Sequence, residues 1–460
     1  MATAPTHQPI LRDPTHPVKF METTLRDGQQ SLMATRMPNH HMLPILETMD
    51  HAGFEAIEAW GGATFDAALR FLNEDPWANL KNIRRRLKHT KLQMLLRGQN
   101  LLGYKAYHDD VVSAFIGKAI ENGIDNLRLF DALNDLRNLE TSVQAVRRYG
   151  GHAQLALCYT TSPVHTLDYF VGLAKQFTDM GAHSIAIKDM SGILLPHVAY
   201  ALVAGIKAVT HLPLQLHTHC TGGMADMVYL KAVEAGVDII DTACAPFALG
   251  TSQPASEVMN QALQGLGYTT HLDTACLTEI TQYFKSLRQQ ALADGTMDPN
   301  LLGVDIDTLH YQVPGGMLSN LVSQLKRQQA LDKLPQVLQE IAAVRADMGY
   351  IPLVTPSSQI VATQATFNVL TGARYQLVSN ETKDLVRGLY GQPPTPIAPA
   401  IVKQIIGDEP PQTPKEVTQP QLSQAHAAVA PYAQQPEDLL TYALFPHQAL
   451  QYFRKREGLH

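Results

Sequence analysis

The stretch Val18-Lys19-Phe20-Met21-Glu22-Thr23-Thr24-Leu25-Arg26-Asp27-Gly28-Gln29-Gln30-Ser31 opens with a β-prone run and ends in a charged tip. Aromatic and β-branched residues favour a pleated, half-buried strand. Adjacent Arg26 and Asp27 would then put a cation and a carboxylate at the exposed end of that strand. Asp27 can hold a divalent metal, and Arg26 can hold an anionic substrate. Gly28 lets the backbone turn there with no side chain in the way.

Working outward, similar runs recur at intervals of about 25–37 residues: Val18–Thr23, Phe54–Trp60, Lys91–Arg97, Asn126–Phe130, Gln154–Thr160, Ser184–Lys188, Pro213–His219 and Asp238–Thr242. Stretches of helical periodicity lie between them, such as Val111–Asn122 and Leu167–Met180. Several end in glycine (Gly53, Gly123, Gly181, Gly236), the usual helix stop. Eight strand–helix alternations predict an α/β fold, a (β/α)8 TIM barrel. A doubly wound open sheet is the rival, but no glycine-rich phosphate loop follows any strand. Beyond about residue 270 apolar spacing turns helical, in Thr274–Leu292, Ser319–Ala330 and Leu334–Met348. A Pro- and Gln-rich piece, about 409–436, reads as a linker, and Glu437–Lys455 as one more amphipathic helix. The predicted organisation is a barrel over 1–300 and a mostly helical C-terminal domain over 301–460.

The chain has 460 residues, is 45% hydrophobic and carries a formal net charge of −6. That is enough to bury a large core. No basic stripe points to nucleic acid. No apolar run is long enough to span a bilayer. The N-terminus, with Pro5, His7, Pro9 and Pro14, lacks the regions of a signal peptide. Cys158, Cys220, Cys244 and Cys276 show no CxxC spacing, so reduced thiols in a cytoplasmic protein are the simplest reading. Cys220, beside His219, is a minor candidate ligand or nucleophile.

In such a barrel chemistry sits at the C-terminal ends of the strands. His217 and His219 are two apart on a predicted strand and share a face, along with Gln215. They are either two metal ligands or a hydrogen-bonded pair of interior histidines; Asp27 at the same rim favours the metal. Lys188 follows Ile185-Ala186-Ile187. An interior lysine must be ion-paired, deprotonated as a Schiff-base former, or carbamylated into an anionic ligand. Arg26 and Arg97 offer two planar forks for a small carboxylate. Val354-Thr355-Pro356-Ser357-Ser358-Gln359 lies beyond the barrel, and as a plain structural element it is a helix N-cap.

Taken together these motifs resemble the biotin-dependent carboxyltransferases. The matching stretches are Glu22–Ser31, Trp60–Asp66, Arg97–Tyr104, Phe130–Leu136, Thr160–Thr166, Lys188–Gly192, His217–Gly223, Gly250–Pro254, Val313–Leu321, Thr355–Val361 and Asp438–Lys455. The resemblance implies a barrel capped by a helical funnel domain, usually as a homodimer. It implies a divalent metal (Zn, Mn or Co) on Asp27, carbamylated Lys188, His217 and His219. Arg26, Gln30 and Arg97 would contact substrate, Thr355 would relay a proton, and Asp66, Tyr104 and Ser358 would line a biotin pocket. Ala362 stands where the family usually has Gly, and Leu249 is bulkier than the pattern implies. No Met-Lys dipeptide occurs, so biotin is expected in trans, on a separate carrier protein. The first expectation is carboxyl transfer between oxaloacetate and biotin by an oxaloacetate decarboxylase α subunit, partnered by membrane decarboxylase subunits or a biotin carboxylase. A split pyruvate carboxylase or transcarboxylase subunit is the alternative. A metal-dependent aldolase or Claisen-type synthase, and a non-catalytic assembly subunit, follow behind.

Overall fold

In a computed structural model of the chain, the structure describes residues 17–311, 321–322, 325–326, 329–414 and 418–458. Eight parallel strands close on themselves in sequence order: β1 Lys19–Glu22, β2 Ala56–Gly61, β3 Lys91–Leu96, β4 Asn126–Phe130, β5 His152–Cys158, β6 Ser184–Asp189, β7 Leu214–Thr218 and β8 Ile239–Thr242. The closing pair aligns Lys19 with Ile239 and Glu22 with Thr242. The predicted (β/α)8 barrel is therefore the fold, and each strand falls on or within two residues of its predicted start. The helix-ending glycines Gly53, Gly123, Gly181 and Gly236 have φ of 87°, 110°, 85° and 97°. That is the left-handed geometry a helix stop needs.

The alternation along the strands sorts side chains into two layers. Leu127, Leu129, Ile185, Ile187, Leu214, Leu216 and Ile240 face the surrounding helices in one continuous core. Inside the barrel a buried polar belt forms from Glu58, Gln93, Arg128, Gln154, Gln215 and Asp241. Arg128 donates to both carboxylate oxygens of Asp241, at 2.5 and 3.2 Å, and lies 3.8 Å from Glu58. Removing either partner of such a buried pair typically costs about 3–5 kcal/mol, because the other charge is left uncompensated. Thus the belt is rigid, and it lies directly beneath the strand ends that carry the candidate site.

The described residues beyond 300 fall into two groups. The helices Leu334–Asp347, Ser357–Thr371, Asn380–Arg387 and Pro399–Ile406 build their own apolar cluster, which Leu133 of the barrel joins. The helices Glu437–Leu444 and Pro446–Arg456 instead pack into the barrel's core. There Phe445 stacks on Phe65 with ring centroids 5.7 Å apart, and Trp77 Nε1 donates to Thr441 Oγ1 at 3.0 Å. The single helix predicted over Glu437–Lys455 is thus two, broken at Phe445-Pro446, where proline cannot donate to the helix ladder. The predicted linker 409–436 contains a helix, Leu422–Val429, whose Ala425 and Val429 are buried. All of the motif Val313–Leu321 but its last residue lies outside the described residues, as do half of the predicted helix Ser319–Ala330 and all of Pro5, His7, Pro9 and Pro14. Among the described residues no helix is long and apolar enough to cross a membrane.

Candidate active site

After β1 the chain does not carry Arg26 and Asp27 on the strand itself, as predicted. It turns at Thr23, whose N–H and hydroxyl both donate to Thr242 O at 2.9 Å. Residues Thr24–Gly28 then form a wide helical turn in which Gly28 N–H donates to Thr23 O at 3.0 Å, five residues back. Such π-type turns recur at functional sites. Gly28 has φ −58°, so it is needed for close approach and not for a special turn. A Cβ there would meet Phe247 O at 3.3 Å and Ser252 Oγ at 3.5 Å.

The turn brings Asp27 to the histidines of β7. Asp27 Oδ2 lies 3.1 Å from His217 Nε2 and 3.6 Å from His219 Nε2, and the two Nε2 atoms are 3.1 Å apart. Each ring is oriented from behind. His217 Nδ1–H donates to Asp241 Oδ2 at 2.7 Å, and His219 Nδ1–H donates to Thr251 O at 2.6 Å. Both Nε2 lone pairs therefore point inward, although the Gln253 amide also comes within 3.3 Å of His219 Nε2. Two lone pairs and a carboxylate oxygen in mutual contact repel unless a cation lies among them. Atoms bound at about 2.0–2.2 Å to one ion stand about 2.8–3.6 Å from one another, and the observed spacings match. The outer hydrogen bonds are those that metal-binding histidines require. Asp27, His217 and His219 are also the one three-residue group of potential ligands found among the described residues.

Lys188, at the end of β6, is paired in register with His217, and its Nζ lies 3.4 Å from His217 Nε2. Burial lowers the pKa of Lys188, against the pull of Asp27. Burial and the neighbouring Lys188 keep His217 on the neutral side. Burial alone would raise the Asp27 carboxyl, but Arg26 and the two histidines hold it well below its ordinary value. Arg26 is locked in place: its Nε donates to Glu58 at 2.7 Å, its Nη2 also pairs with Glu58, and Nη2 reaches Asp27 at 3.1 Å. Gln30 Oε1 is 3.4 Å from Arg26 Nη1.

Arg97 is different. Nη1 is taken up by Leu102 O (2.7 Å) and Gly103 O (3.2 Å), while its buried Nε has no protein partner. Gly62 makes room for it, since a Cβ there would sit 2.9 Å from Arg97 Nη1. Tyr104 lies over the guanidinium, 5.3 Å from ring centroid to Cζ. Tyr104 also lines a cavity of about 420 Å³ with Pro356, Gln359, Ile360 and Thr363. Thr355, half-buried between buried Val354 and Pro356, immediately precedes the cavity-lining Pro356 in the chain. Ser358 is buried in the first turn of the helix that follows. Asp66, by contrast, pairs with Arg70 at 2.5 Å.

Val354 enters the barrel mouth, where it packs with Phe130, Ala156, Cys158 and Ala186. Ala362 is absorbed in the helical cluster, and Leu249 is exposed at φ 67°. Burial pushes the Cys220 thiol upward, the opposite of what a nucleophile needs. Sequence reasoning missed Glu58, Arg128, Asp241, Thr251 and Gln253. Three of them had a signal: Leu127-Arg128-Leu129, Ile57-Glu58-Ala59 and Ile240-Asp241 put charges among apolar residues on strands predicted to be buried.

Two family models match the chain: HMGL-like over residues 17–283, and a conserved carboxylase domain over residues 308–459. A pyruvate carboxylase subunit of Methanocaldococcus jannaschii is 52% identical over 95% of this chain and 78% of its own length. The methylmalonyl-CoA carboxyltransferase 5S subunit of Propionibacterium freudenreichii is 45% identical over 96% of this chain and 89% of its own length. The solved carboxyl transferase domain of Rhizobium etli pyruvate carboxylase with pyruvate and biocytin superposes with a TM-score of 0.90 at 33% identity, covering 96% of this chain and 78% of that one. With its HMGL-like barrel and conserved carboxylase domain, the chain belongs to the biotin-dependent carboxyltransferase family.

Proposed function

We propose that this chain is the carboxyltransferase subunit of a two-subunit pyruvate carboxylase, moving a carboxyl group from carrier-bound carboxybiotin to pyruvate. Oxaloacetate decarboxylase, first among the sequence expectations, gives way to this alternative because the relative at 52% identity is a pyruvate carboxylase subunit. The 45% identity to a transcarboxylase subunit keeps the same half-reaction with a different carboxyl donor as a second reading. The observation that carries the chemistry is the inward convergence of Asp27, His217 and His219 beside Lys188.

A divalent ion on these ligands would supply Lewis-acid polarisation of a 2-oxo group. Lys188 would supply the fourth ligand as its carbamate, formed when the amine adds CO2 and releases a proton. Charge supports this. The ion-paired network beside the ligands holds two arginines, Arg26 and Arg128, against three carboxylates, Asp27, Glu58 and Asp241, with Arg97 left for the substrate's own carboxylate. An ammonium at Lys188 beside a divalent ion would leave excess positive charge, whereas a carbamate with that ion closes to neutrality.

Arg97 directs its open Nε–H at the substrate carboxylate, and Arg26 with Gln30 flanks it. Thr355 takes a methyl proton of pyruvate as its own hydroxyl proton passes to the ureido nitrogen of biotin. A hydroxyl has too high a pKa to act as a standing base, so both transfers are concerted. The carboxyl C–N bond of carboxybiotin breaks and a C–C bond forms at the former methyl carbon. With no Met-Lys dipeptide in the sequence, the biotin-bearing lysine lies outside these 460 residues.

Reconstitution tests the reading. The chain is mixed with purified biotinylated carrier, biotin carboxylase, ATP, bicarbonate and pyruvate. Oxaloacetate should accumulate. Failure to form it, together with carrier-dependent breakdown of added oxaloacetate, would restore the decarboxylase reading.

A further inference from the structure

We infer that Arg345 is a positioning residue: it latches the Thr355 segment of the helical unit to the top of β5 and so sets where the relay hydroxyl stands over the barrel. Arg345 lies near the end of the helix Leu334–Asp347 and is only 7% exposed. Its guanidinium bridges two bodies. Nη2 donates to Thr160 Oγ1 at 2.8 Å and to Thr161 O at 3.0 Å, both just past β5. Nε donates to Ile351 O at 2.9 Å, four residues before Thr355.

From Ile351 onward the segment is tied to itself. Ser357 Oγ donates to Pro352 O at 2.5 Å and lies 3.3 Å from Val354 N, while Ser358 N–H donates to Val354 O at 2.8 Å. Ile351, Leu353 and Val354 are buried. Fixing Ile351 O against Thr160 therefore fixes Thr355 as well. The planar fork matters, because one guanidinium serves a carbonyl on one body and a hydroxyl and a carbonyl on the other. Thr160 and Thr161 belong to a stretch, Thr160–Thr166, that no catalytic role accounts for. They are supplied here with a mechanical one.

The catalytic consequence rests on the proposed carboxyl transfer, but the latch itself can be read without it. Hydrogen exchange is measured on the full chain and on Arg345→Ala, Arg345→Lys and Thr160→Val. In Arg345→Ala, peptides covering 351–360 should exchange roughly tenfold faster, while peptides covering 184–190 and 214–221 stay unchanged. Carrier-dependent transfer should fall roughly ten- to a hundredfold in kcat, the scale of an ångström-sized misplacement, with KM for pyruvate little altered. Metal content and carrier-independent oxaloacetate decarboxylation should stay within about twofold of the parent. Arg345→Lys should recover part of the loss, since an ammonium reaches some of the same acceptors. Thr160→Val removes one acceptor without emptying the space, so it should show the same pattern more weakly and serves if Arg345→Ala does not fold.

Unchanged exchange over 351–360 overturns the inference. So does a loss of transfer matched by an equal loss of metal or of decarboxylation, which would mark a merely structural arginine. If the parent chain shows no carrier-dependent transfer, the functional reading fails, and the exchange data still decide the latch.

Discussion

Asp27, His217 and His219 stand on elements that share one barrel, and each histidine is braced by a hydrogen bond from behind, to Asp241 and to Thr251. Thr355 stands on a connector between two helices, held over the mouth by the buried insertion of Val354 and the bridge through Arg345. One half of the site is thus fixed by the same ladder that makes the fold. The other is fixed by a few contacts between two bodies. The first can be lost only by changing the ligands or their braces. The second can be shifted with the fold and metal intact.

That contrast is broken most severely at the ligands. The double variant His217→Ala/His219→Ala should bind no divalent ion by elemental analysis and lose about 10⁴-fold or more in transfer, several kcal/mol of barrel-side chemistry. Full metal occupancy in that variant would remove the ligand assignment. Thr355→Ala should come next. Transfer falls roughly 10²–10⁴-fold, the range for a positioned proton transfer, while metal content and melting temperature hold. A loss of under about tenfold would take Thr355 out of the chemistry.

A third test lies in the barrel wall alone. Glu22 is fully buried, and desolvation lifts its pKa from 4.5 to about 7 despite the Thr24 N–H at 2.9 Å. Between those values the folded state keeps a proton that the unfolded state has lost. Stability therefore falls as pH rises through this window, levelling off above about 7. From pH 5 to pH 8 the loss is about 2–3 kcal/mol. Denaturant titrations of Glu22→Gln should lack that share of the slope; equal slopes in variant and parent would reject the assignment. The smallest effect on the site's own chemistry is expected at Asp241→Asn, which weakens the brace behind His217 and, by leaving Arg128 without its carboxylate, also lowers fold stability. Metal affinity in a chelator competition should drop about 10–100-fold. An unchanged affinity would show that His217 is oriented by its packing alone.

The barrel was legible because its strands keep period two and its helices stop at glycines. His217 and His219 were legible for the same reason, since two residues on one strand share a face. The site's depth was not. Arg128 and Asp241 look like interruptions of apolar strands until the closed barrel brings their side chains within 2.5 Å across its interior, a pairing over more than a hundred residues. The wide turn Thr24–Gly28 that carries Arg26 and Asp27 was not legible, because it is tied through Thr23 to Thr242 on β8, distant in sequence but adjacent once the barrel closes. The helix Leu422–Val429 arises likewise from docking on a surface that local periodicity does not contain, whereas the break at Phe445 had a local signal in Pro446.

The return of the last two helices to the barrel has a further consequence. Leu301, Leu302 and Leu309 pack on the barrel core before the helical unit, and Leu440, Leu444, Phe445 and Phe453 pack on it afterwards. The unit bearing Thr355 is therefore spliced into a loop whose two ends are moored to the same body. Should its contacts at the mouth open, the hydroxyl cannot drift into bulk solvent. Its local concentration over the ligands stays in the range set by a short tether, millimolar or above. Reseating then carries little of the translational cost that two separate molecules would meet.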